Sequence, residues 1–291
     1  GIGKGHTVSV IAANVPALLE AHFGVPMCGA VLNAINIRLD GPTIGHILDH
    51  AEAKILITDT DFSFVVREAL EKTRGRPMIV DFDDTQGDGG ERLGTYDYEA
   101  FLEEGDEDYE WSLPDDEWDA ISLNYTSGTT GNPKGVVFHH RGAYLAALSN
   151  PMMIGLSAES TYLWTLPMFH CNGWCFTWGV SALGGTHVCL RKFDPGLVFN
   201  LISENGVTHM CGAPIILNAM SHVPPGSIPE LKRKVLIATG GAAPPSSVIA
   251  ALEPMGFEVI HLYGLTESYG PATICAWQEP WNSLDLQGRA N

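Results

Sequence analysis

Between Thr126 and Gly135 the chain places three glycines, four hydroxyl side chains and one lysine within ten residues, with no carboxylate among them. Glycine admits positive φ, so its neighbours can turn backbone N–H groups inward and form a nest for an anion. The hydroxyls of Thr126, Ser127, Thr129 and Thr130 can rotate to meet phosphate oxygens, and Lys134 supplies a mobile positive charge. A flexible surface loop is the usual fate of such composition. Here, however, Ile121, Leu123 and Tyr125 alternate with Ser122 and Asn124 directly before the loop, and Val136-Val137-Phe138 follow it. Two strands therefore pin the loop at both ends, which favours a phosphate grip. The phosphate loop that opens a helix is excluded, because it needs Gly-Lys-Ser/Thr and this sequence has Lys-Gly leading into a strand.

Three other stretches carry useful chemistry: Pro167-Met168-Phe169-His170-Cys171-Asn172-Gly173-Trp174, Gly240-Gly241-Ala242-Ala243-Pro244-Pro245 and Tyr263-Gly264-Leu265-Thr266-Glu267-Ser268. Each follows a predicted strand. Strands are expected at 7–12, 29–32, 54–58, 77–81, 162–166, 186–190, 207–211, 235–238 and 257–262. Helices are expected at 15–24, 43–53, 61–74, 141–150, 173–183, 195–205, 214–221 and 245–255, with a further helix at 96–102. Short apolar strands alternating with longer amphipathic helices predict α/β layers around a largely parallel sheet, with function at the carboxyl ends of its strands. No fixed-period repeat occurs, which sets aside solenoids and propellers.

The 291 residues carry a net charge of -18, but its source is local. Residues 81–119 hold 17 acids and one base, Arg92; without them the net charge is -2. That segment reads as a solvated excursion, re-anchored by Trp111, Leu113 and Trp118. No basic stripe supports nucleic-acid binding, and no apolar run has the length of a membrane span. The six cysteines lack the dense spacing of a secreted scaffold, so a reduced cytoplasmic compartment is expected. Nothing in the sequence addresses oligomeric state.

Taken together, the loop at 126–135, the Gly-Gly-Ala turn and Tyr-Gly-x-Thr-Glu at 263–267 make the chain resemble the acyl-adenylate-forming (AMP-binding) enzymes. The likeness extends over essentially the whole chain. Within that superfamily, Pro-Met-Phe-His-Cys-Asn-Gly-Trp-Cys-Phe-Thr-Trp at 167–178 is similar to acyl-CoA synthetases for short- and medium-chain or aromatic acids. The resemblance implies a layered αβαβα large N-terminal domain. It divides into a first α/β portion at 1–81, the acidic excursion at 82–119 and a nucleotide- and acyl-binding portion at 120–291.

It also implies a reaction. The carboxylate attacks the α-phosphorus of ATP, pyrophosphate leaves, and coenzyme A captures the acyl-adenylate as a thioester. Thr126, Ser127, Gly128, Thr129, Thr130, Gly131 and Lys134 would hold the β- and γ-phosphates. Glu267 would bind Mg²⁺, Thr266 would donate to the α-phosphate, and Tyr263 with Gly264 and the Gly241-Ala242-Ala243 turn would receive adenine. His170 would gate the acyl pocket beside the carboxylate, with Trp174, Cys175, Trp178, Gly264 and Leu265 along the pocket. Thr266, Glu267, Lys134 and His170 are thus the expected catalytic set.

Taken singly, these residues have plainer readings. Tyr263 suits a buried strand end, Glu267 a helix cap, His170 ordinary packing, and Trp174 and Trp178 a core. His170, Cys171 and Cys175 also invite zinc, but no second Cys/His pair stands at ligand spacing. The resemblance further suggests a piece cut at both ends, lacking the small C-terminal domain and its lysine, and therefore impaired as a catalyst. Two other readings remain: an adenylation domain loading a carrier-protein thiol, and a non-catalytic nucleotide or acyl binder. A serine hydrolase has no Gly-x-Ser-x-Gly elbow to support it.

Overall fold

The computed structural model describes residues 1–126, 131–285 and 288–289. The chain forms two compact units, one of Gly1–Leu145 with Met168–Asn172, the other of Ala146–Pro167 with the chain from Gly173 onward.

In the first unit, strands β1 (Thr7–Ile11), β2 (Val31–Ala34), β3 (Ala53–Asp59), β4 (Met78–Phe82), β5 (Tyr96–Asp97), β6 (Ala120–Thr126) and β7 (Lys134–His139) form a sheet in the order β5-β4-β3-β1-β2-β6-β7. Its pairings are parallel except for the β6–β7 hairpin. Helix α1 (Pro16–Met27) starts at Pro16, whose missing N–H costs nothing in a first turn. Helix α2 (Gly41–His50) is capped by Asp40, whose side chain accepts the Thr43 N–H at 2.9 Å. It buries Ile44, Ile47 and Leu48 against Ile11, Leu56 and Val66, the last from helix α3 (Ser63–Lys72). This i, i+3, i+4 stripe is the spacing that the sequence shows.

The acidic segment differs from the sequence expectation. Tyr96–Asp97 joins the sheet edge as β5, and the short helix α4 (Tyr98–Glu103) follows, capped by the Asp97 carboxylate. Trp111 and Leu113 do not re-anchor it, being 54% and 76% exposed. Trp118, though 67% exposed, lays its ring beside that of His139 on β7, centroids 4.4 Å apart. A further anchor is Tyr98, which is buried and donates to Glu20 at 2.8 Å. Arg92, the segment's single base, ties Asp83 to Asp97 at 2.7 and 2.8 Å.

Helix α5 (His140–Met153) leads into the second unit. There β8 (Thr161–Leu163), β9 (Thr186–Val188), β10 (His209–Gly212), β11 (Val235–Thr239), β12 (Phe257–Leu265) and β13 (Gly270–Ile274) form a second sheet, ordered β13-β12-β11-β10-β8-β9. Only β12–β13 is antiparallel. Helices α6 (Phe176–Ala182), α7 (Pro195–Asn205), α8 (Pro214–Ser221) and α9 (Ser246–Leu252) accompany it. Val198, Phe199, Ile202, Leu217, Met220, Ile237 and Leu252 build its core. Helix α7 matches its expected bounds because its signals are strong: the Asp194 cap, Pro195 at the start and left-handed Gly206 at the end.

The helix expected over 173–183 begins only at Phe176, and the residues before it wind the other way. Cys171, Asn172, Gly173, Trp174 and Cys175 have φ of 51°, 52°, 58°, 60° and 63°. Four of the five are not glycine, so this left-handed turn carries strain of about 1–2 kcal/mol per residue, which its surroundings must offset.

Candidate active site

In the first unit the phosphate-loop candidate closes a hairpin. Thr126 pairs with Lys134 and Tyr125 with Gly135, so the loop leaves and re-enters the sheet at one register point. Ser127, Gly128, Thr129 and Thr130 lie outside the described residues. Gly131 has φ of 123°, a conformation reserved for glycine, and space is open where a side chain would begin. At Gly135 a Cβ would come within 2.8 Å of Leu123 Cδ1, so a larger residue there would push aside the end of that side chain. Lys134 is exposed and has no ion pair among the described residues, so its charge is available to an anion. The hairpin root is fixed by Tyr125, whose hydroxyl meets His50 Nδ1 at 2.7 Å, and partial burial pushes the Tyr125 pKa up to about 12. The phenol therefore stays neutral.

Residues 168–172 belong to this same unit, and polar contacts hold them there. Met168 N–H donates to Asn14 Oδ1 at 2.8 Å. Asn172 Oδ1 accepts from Ser122 Oγ at 2.7 Å and from Asn124 Nδ2 at 2.9 Å, all three side chains being buried. Ser122 and Asn124 stand on β6, whose Leu123 carbonyl accepts from Asn33 of β2 at 2.9 Å. Asn33 in turn accepts from Ser9 of β1 at 3.0 Å. A buried polar ladder thus runs from the sheet interior to the segment bearing His170. The His170 ring reaches the surface, yet the protein packed around it, and secondarily the Arg38 guanidinium, hold its pKa below the ordinary imidazole value. It is neutral at pH 7 and can accept or donate one hydrogen bond.

In the second unit the Gly-Gly-Ala turn follows β11. Gly241, with φ of 88°, Ala242 and Ala243 are exposed, while Gly240 is buried against Trp174. A Cβ on Gly240 would meet the Trp174 ring at 3.2 Å and Leu262 O at 3.3 Å. The other flank of Trp174 lies on Gly270, where a Cβ would stand 2.9 Å from that of Trp174. Trp174 is thus a buried wedge between the turn after β11 and strand β13. Asn150 Nδ2 holds its carbonyl at 3.1 Å. Cys175 is buried, its thiol directed at Tyr269 O at 3.7 Å, and Trp178 is half-buried.

Strand β12 carries Tyr263 and Leu265 outward on one face, 61% and 54% exposed, so Tyr263 is not a buried strand end. A 3-10 turn, Thr266–Ser268, follows. Ser268 shapes it: its hydroxyl accepts the Leu265 N–H at 2.9 Å and donates to Gly270 O at 2.8 Å. This leaves Thr266 half-buried and Glu267 exposed, with no ion pair to Glu267 among the described residues. Among the described residues no cluster of three or more His, Cys, Asp or Glu side chains could hold a metal ion. A lone exposed carboxylate does fit Mg²⁺, which commonly takes one or two protein oxygens and fills its octahedron with phosphate and water.

Sequence reasoning did not assign roles to Asn172, Ser122, Asn124 or Ser268, although all four lie in or beside the motifs. A different chemistry suggested by geometry fails on inspection. Ser181 Oγ lies 2.9 Å from His187 Nε2, but His187 Nδ1 accepts the Trp164 indole N–H at 2.9 Å. Neutral His187 therefore carries its proton on Nε2 and cannot take one from Ser181. No helix among the described residues is long and apolar enough to cross a membrane.

Comparison with known proteins identifies the family and the fold. The chain is 48% identical to the Arabidopsis thaliana acetate/butyrate–CoA ligase described as peroxisomal, over 99% of this chain and 53% of that protein. It is 49% identical to a Humulus lupulus acetate–CoA ligase, over 97% of this chain and 52% of the relative. The chain thus spans about half the length of the curated relatives it matches. Among solved structures it is similar to the inhibitor-bound N-terminal domain of FACL13 from Mycobacterium tuberculosis, with a TM-score of 0.79 and 29% identity over 94% of this chain and 66% of that one. The fold is accordingly that of the large N-terminal domain of adenylate-forming enzymes. The AMP-binding enzyme family matches residues 1–291 throughout, and the chain belongs to it.

Proposed function

We propose that the protein bearing this chain activates a short carboxylic acid with ATP, releasing pyrophosphate, and passes the acyl group from acyl-AMP to coenzyme A. The observation carrying this reading is the β6–β7 hairpin, in which Thr126 pairs with Lys134 across a glycine- and hydroxyl-rich stretch of sequence, Lys134 being exposed and without an ion pair among the described residues. The names of the Arabidopsis and Humulus relatives support the acid class and the thiol acceptor. Thr126, Gly131 and Lys134, with Ser127, Gly128, Thr129 and Thr130, hold the β- and γ-phosphates. The outward ring of Tyr263, with Gly264 and the Gly241-Ala242-Ala243 turn, receives adenine, and Thr266 donates to the α-phosphate. Glu267 holds Mg²⁺, which when bound offsets charge on the phosphates. Phosphoryl chemistry of this kind rests on positioning and charge neutralisation, which this residue set can supply.

Neutral His170 stands beside the acid's carboxylate without adding a competing charge, and Trp174, Cys175, Trp178 and Leu265 bound or support the acyl chamber. The large domain comprises an α/β portion at 1–81, the acidic excursion at 82–119 and the nucleotide- and acyl-binding portion at 120–291. The cytoplasm is the compartment we assign. The test is incubation of the protein bearing this chain with ATP, Mg²⁺, coenzyme A and a panel of acetate, butyrate, hexanoate, benzoate and cinnamate. Mass-spectrometric detection of an acyl-CoA with matching AMP supports the reading. ATP consumption without any thioester contradicts it.

A further inference from the structure

We propose that His46 and His50 form a two-histidine site, at the end of helix α2, for a divalent transition-metal ion of the nickel, copper and zinc class. The site uses none of the residues assigned to nucleotide or acid and does not rest on the function proposed above. It starts from spacing. Residues four apart on a helix stand one above the other on the same face, and the rings of His46 and His50 do so with centroids 5.7 Å apart and planes inclined by 24°. Two imidazoles at adjacent positions of one ion, each with a metal–nitrogen distance of about 2.1 Å, hold their centroids roughly 5 Å apart. The pair therefore needs to close by less than about 1 Å. His46 is half-buried and His50 exposed, so an ion reaches the pair from solvent.

Two further observations point the pair at a metal ion. His50 Nδ1 lies 2.7 Å from the Tyr125 hydroxyl, and that phenol is neutral, burial pushing its pKa up to about 12. A phenol oxygen accepts a hydrogen bond, so His50 can carry its proton on Nδ1 and present the Nε2 lone pair outward. Histidine ligands are commonly oriented in this way, through a hydrogen bond from the other ring nitrogen. His50 is also the last residue of α2, where the carbonyl end of a helix favours positive charge. Asp49, next to His50 in sequence, is committed elsewhere: it accepts the backbone N–H groups of Arg74 and Gly75, each at 2.9 Å, and pairs with the Arg74 guanidinium. The protein thus supplies two nitrogen ligands and water completes the shell, in keeping with the absence of a three-residue metal cluster among the described residues. Neutral imidazoles without a carboxylate suit nickel, copper and zinc and not the oxygen-seeking Mg²⁺ or Ca²⁺. An ion held by both rings staples the last turn of α2, whose other face packs Ile44, Ile47 and Leu48 into the core.

The experiment titrates Ni²⁺ alone into the untagged protein bearing this chain, by isothermal titration calorimetry in a buffer that does not bind metal and without ATP or Mg²⁺. Ni²⁺ is the probe because it favours imidazole, whereas Zn²⁺ also seeks thiolates and the chain has six cysteines. Wild type is expected to take up one equivalent that His46→Gln and His50→Gln each fail to bind. Tyr125→Phe should keep that equivalent and bind it about 10-fold more weakly, the low end of the loss when a ligand's orienting partner is removed. Ni²⁺ should also raise the Tm of wild type and leave that of His50→Gln unchanged, because an ion held only by the folded state stabilises it. Should His46→Gln fail to fold, His50→Gln carries the test, since that side chain is exposed. No uptake of Ni²⁺ by wild type, or equal uptake by wild type and His50→Gln, overturns the site. Undiminished affinity in Tyr125→Phe overturns the arrangement proposed for His50.

Discussion

Gly264→Ala should disable the second unit's motif by a clash that no side-chain movement relieves. A Cβ at Gly264 would fall inside the carbonyl oxygen of Gly270 and lie 2.5 Å from Gly270 C and 2.8 Å from Pro271 Cα. All three obstacles are backbone, and they belong to the strand that pairs with this one, Gly264 opposite Pro271 and Leu265 opposite Gly270. Relief requires β12 and β13 to part by on the order of 1 Å, more than the side-chain shifts behind ordinary overpacking costs of about 1–3 kcal/mol. We therefore expect a loss of about 3 kcal/mol or more, a fall in Tm of roughly 6–12 °C. Thr266 and Glu267 follow directly, and a displacement of about 1 Å at a reacting centre costs on the order of 100-fold in rate. Differential scanning fluorimetry and ATP–pyrophosphate exchange on the same preparation read both effects. Gly24→Ala, inside α1 with nothing within 4 Å of the new methyl, is the control and should stabilise by about 0.5–1 kcal/mol. A Gly264→Ala protein with wild-type Tm and exchange would refute the reasoning about β12 and β13.

Other perturbations have defined outcomes. Lys134→Ala removes the one exposed cation at the hairpin and should raise the KM for ATP about 10- to 100-fold, as loss of a charge-assisted hydrogen bond does; unchanged KM removes it from the grip. Tyr125→Phe deletes the bond to His50 and should cost about 1 kcal/mol in chemical denaturation, with the ring packing kept; no loss would mean the bond does not brace the hairpin. His22 is fully buried, and burial lowers its pKa to about 4. The unfolded chain takes up a proton near pH 6.5 that the folded chain refuses until about pH 4, so stability falls as pH drops through that window, by about 3 kcal/mol. Denaturation series at pH 7 and pH 4.5 should show most of this loss, and His22→Gln should flatten it; equal slopes in both proteins would contradict it.

Much of this was legible in the sequence where local chemistry and tertiary role agree. The Asp194, Pro195 and Gly206 signals bound α7, and alternation around Leu123 and Tyr125 marked the strand entering the loop. Legibility failed where the decisive interaction is distant or sterically unusual. Strand β13 reads Gly-Pro-Ala-Thr-Ile, with too few apolar residues to stand out, and it exists because β12 offers it an edge. The residues before Phe176 look helical by their apolar content, yet they carry five successive positive φ values and are held by contacts with Asn124, Ser122, Gly240 and Gly270, up to 96 residues away in sequence. The Tyr98 anchor of the acidic segment was missed because large exposed aromatics resemble core residues in composition. Tyr98 and Arg92 are instead distinguished by what they reach, Glu20, Asp83 and Asp97. Of the candidate site, residue types and order were readable, whereas the polar ladder behind His170 and the wedge of Trp174 needed coordinates.

The most direct measurement is ATP–pyrophosphate exchange in the absence of coenzyme A, on the protein bearing this chain, across acetate, butyrate, hexanoate, benzoate and cinnamate. The account predicts acid-dependent, Mg²⁺-dependent exchange with at least one short acid, depressed about 100-fold or more by Lys134→Ala and Glu267→Ala together. Folded protein with no exchange for any acid, or exchange indifferent to both substitutions, would contradict it.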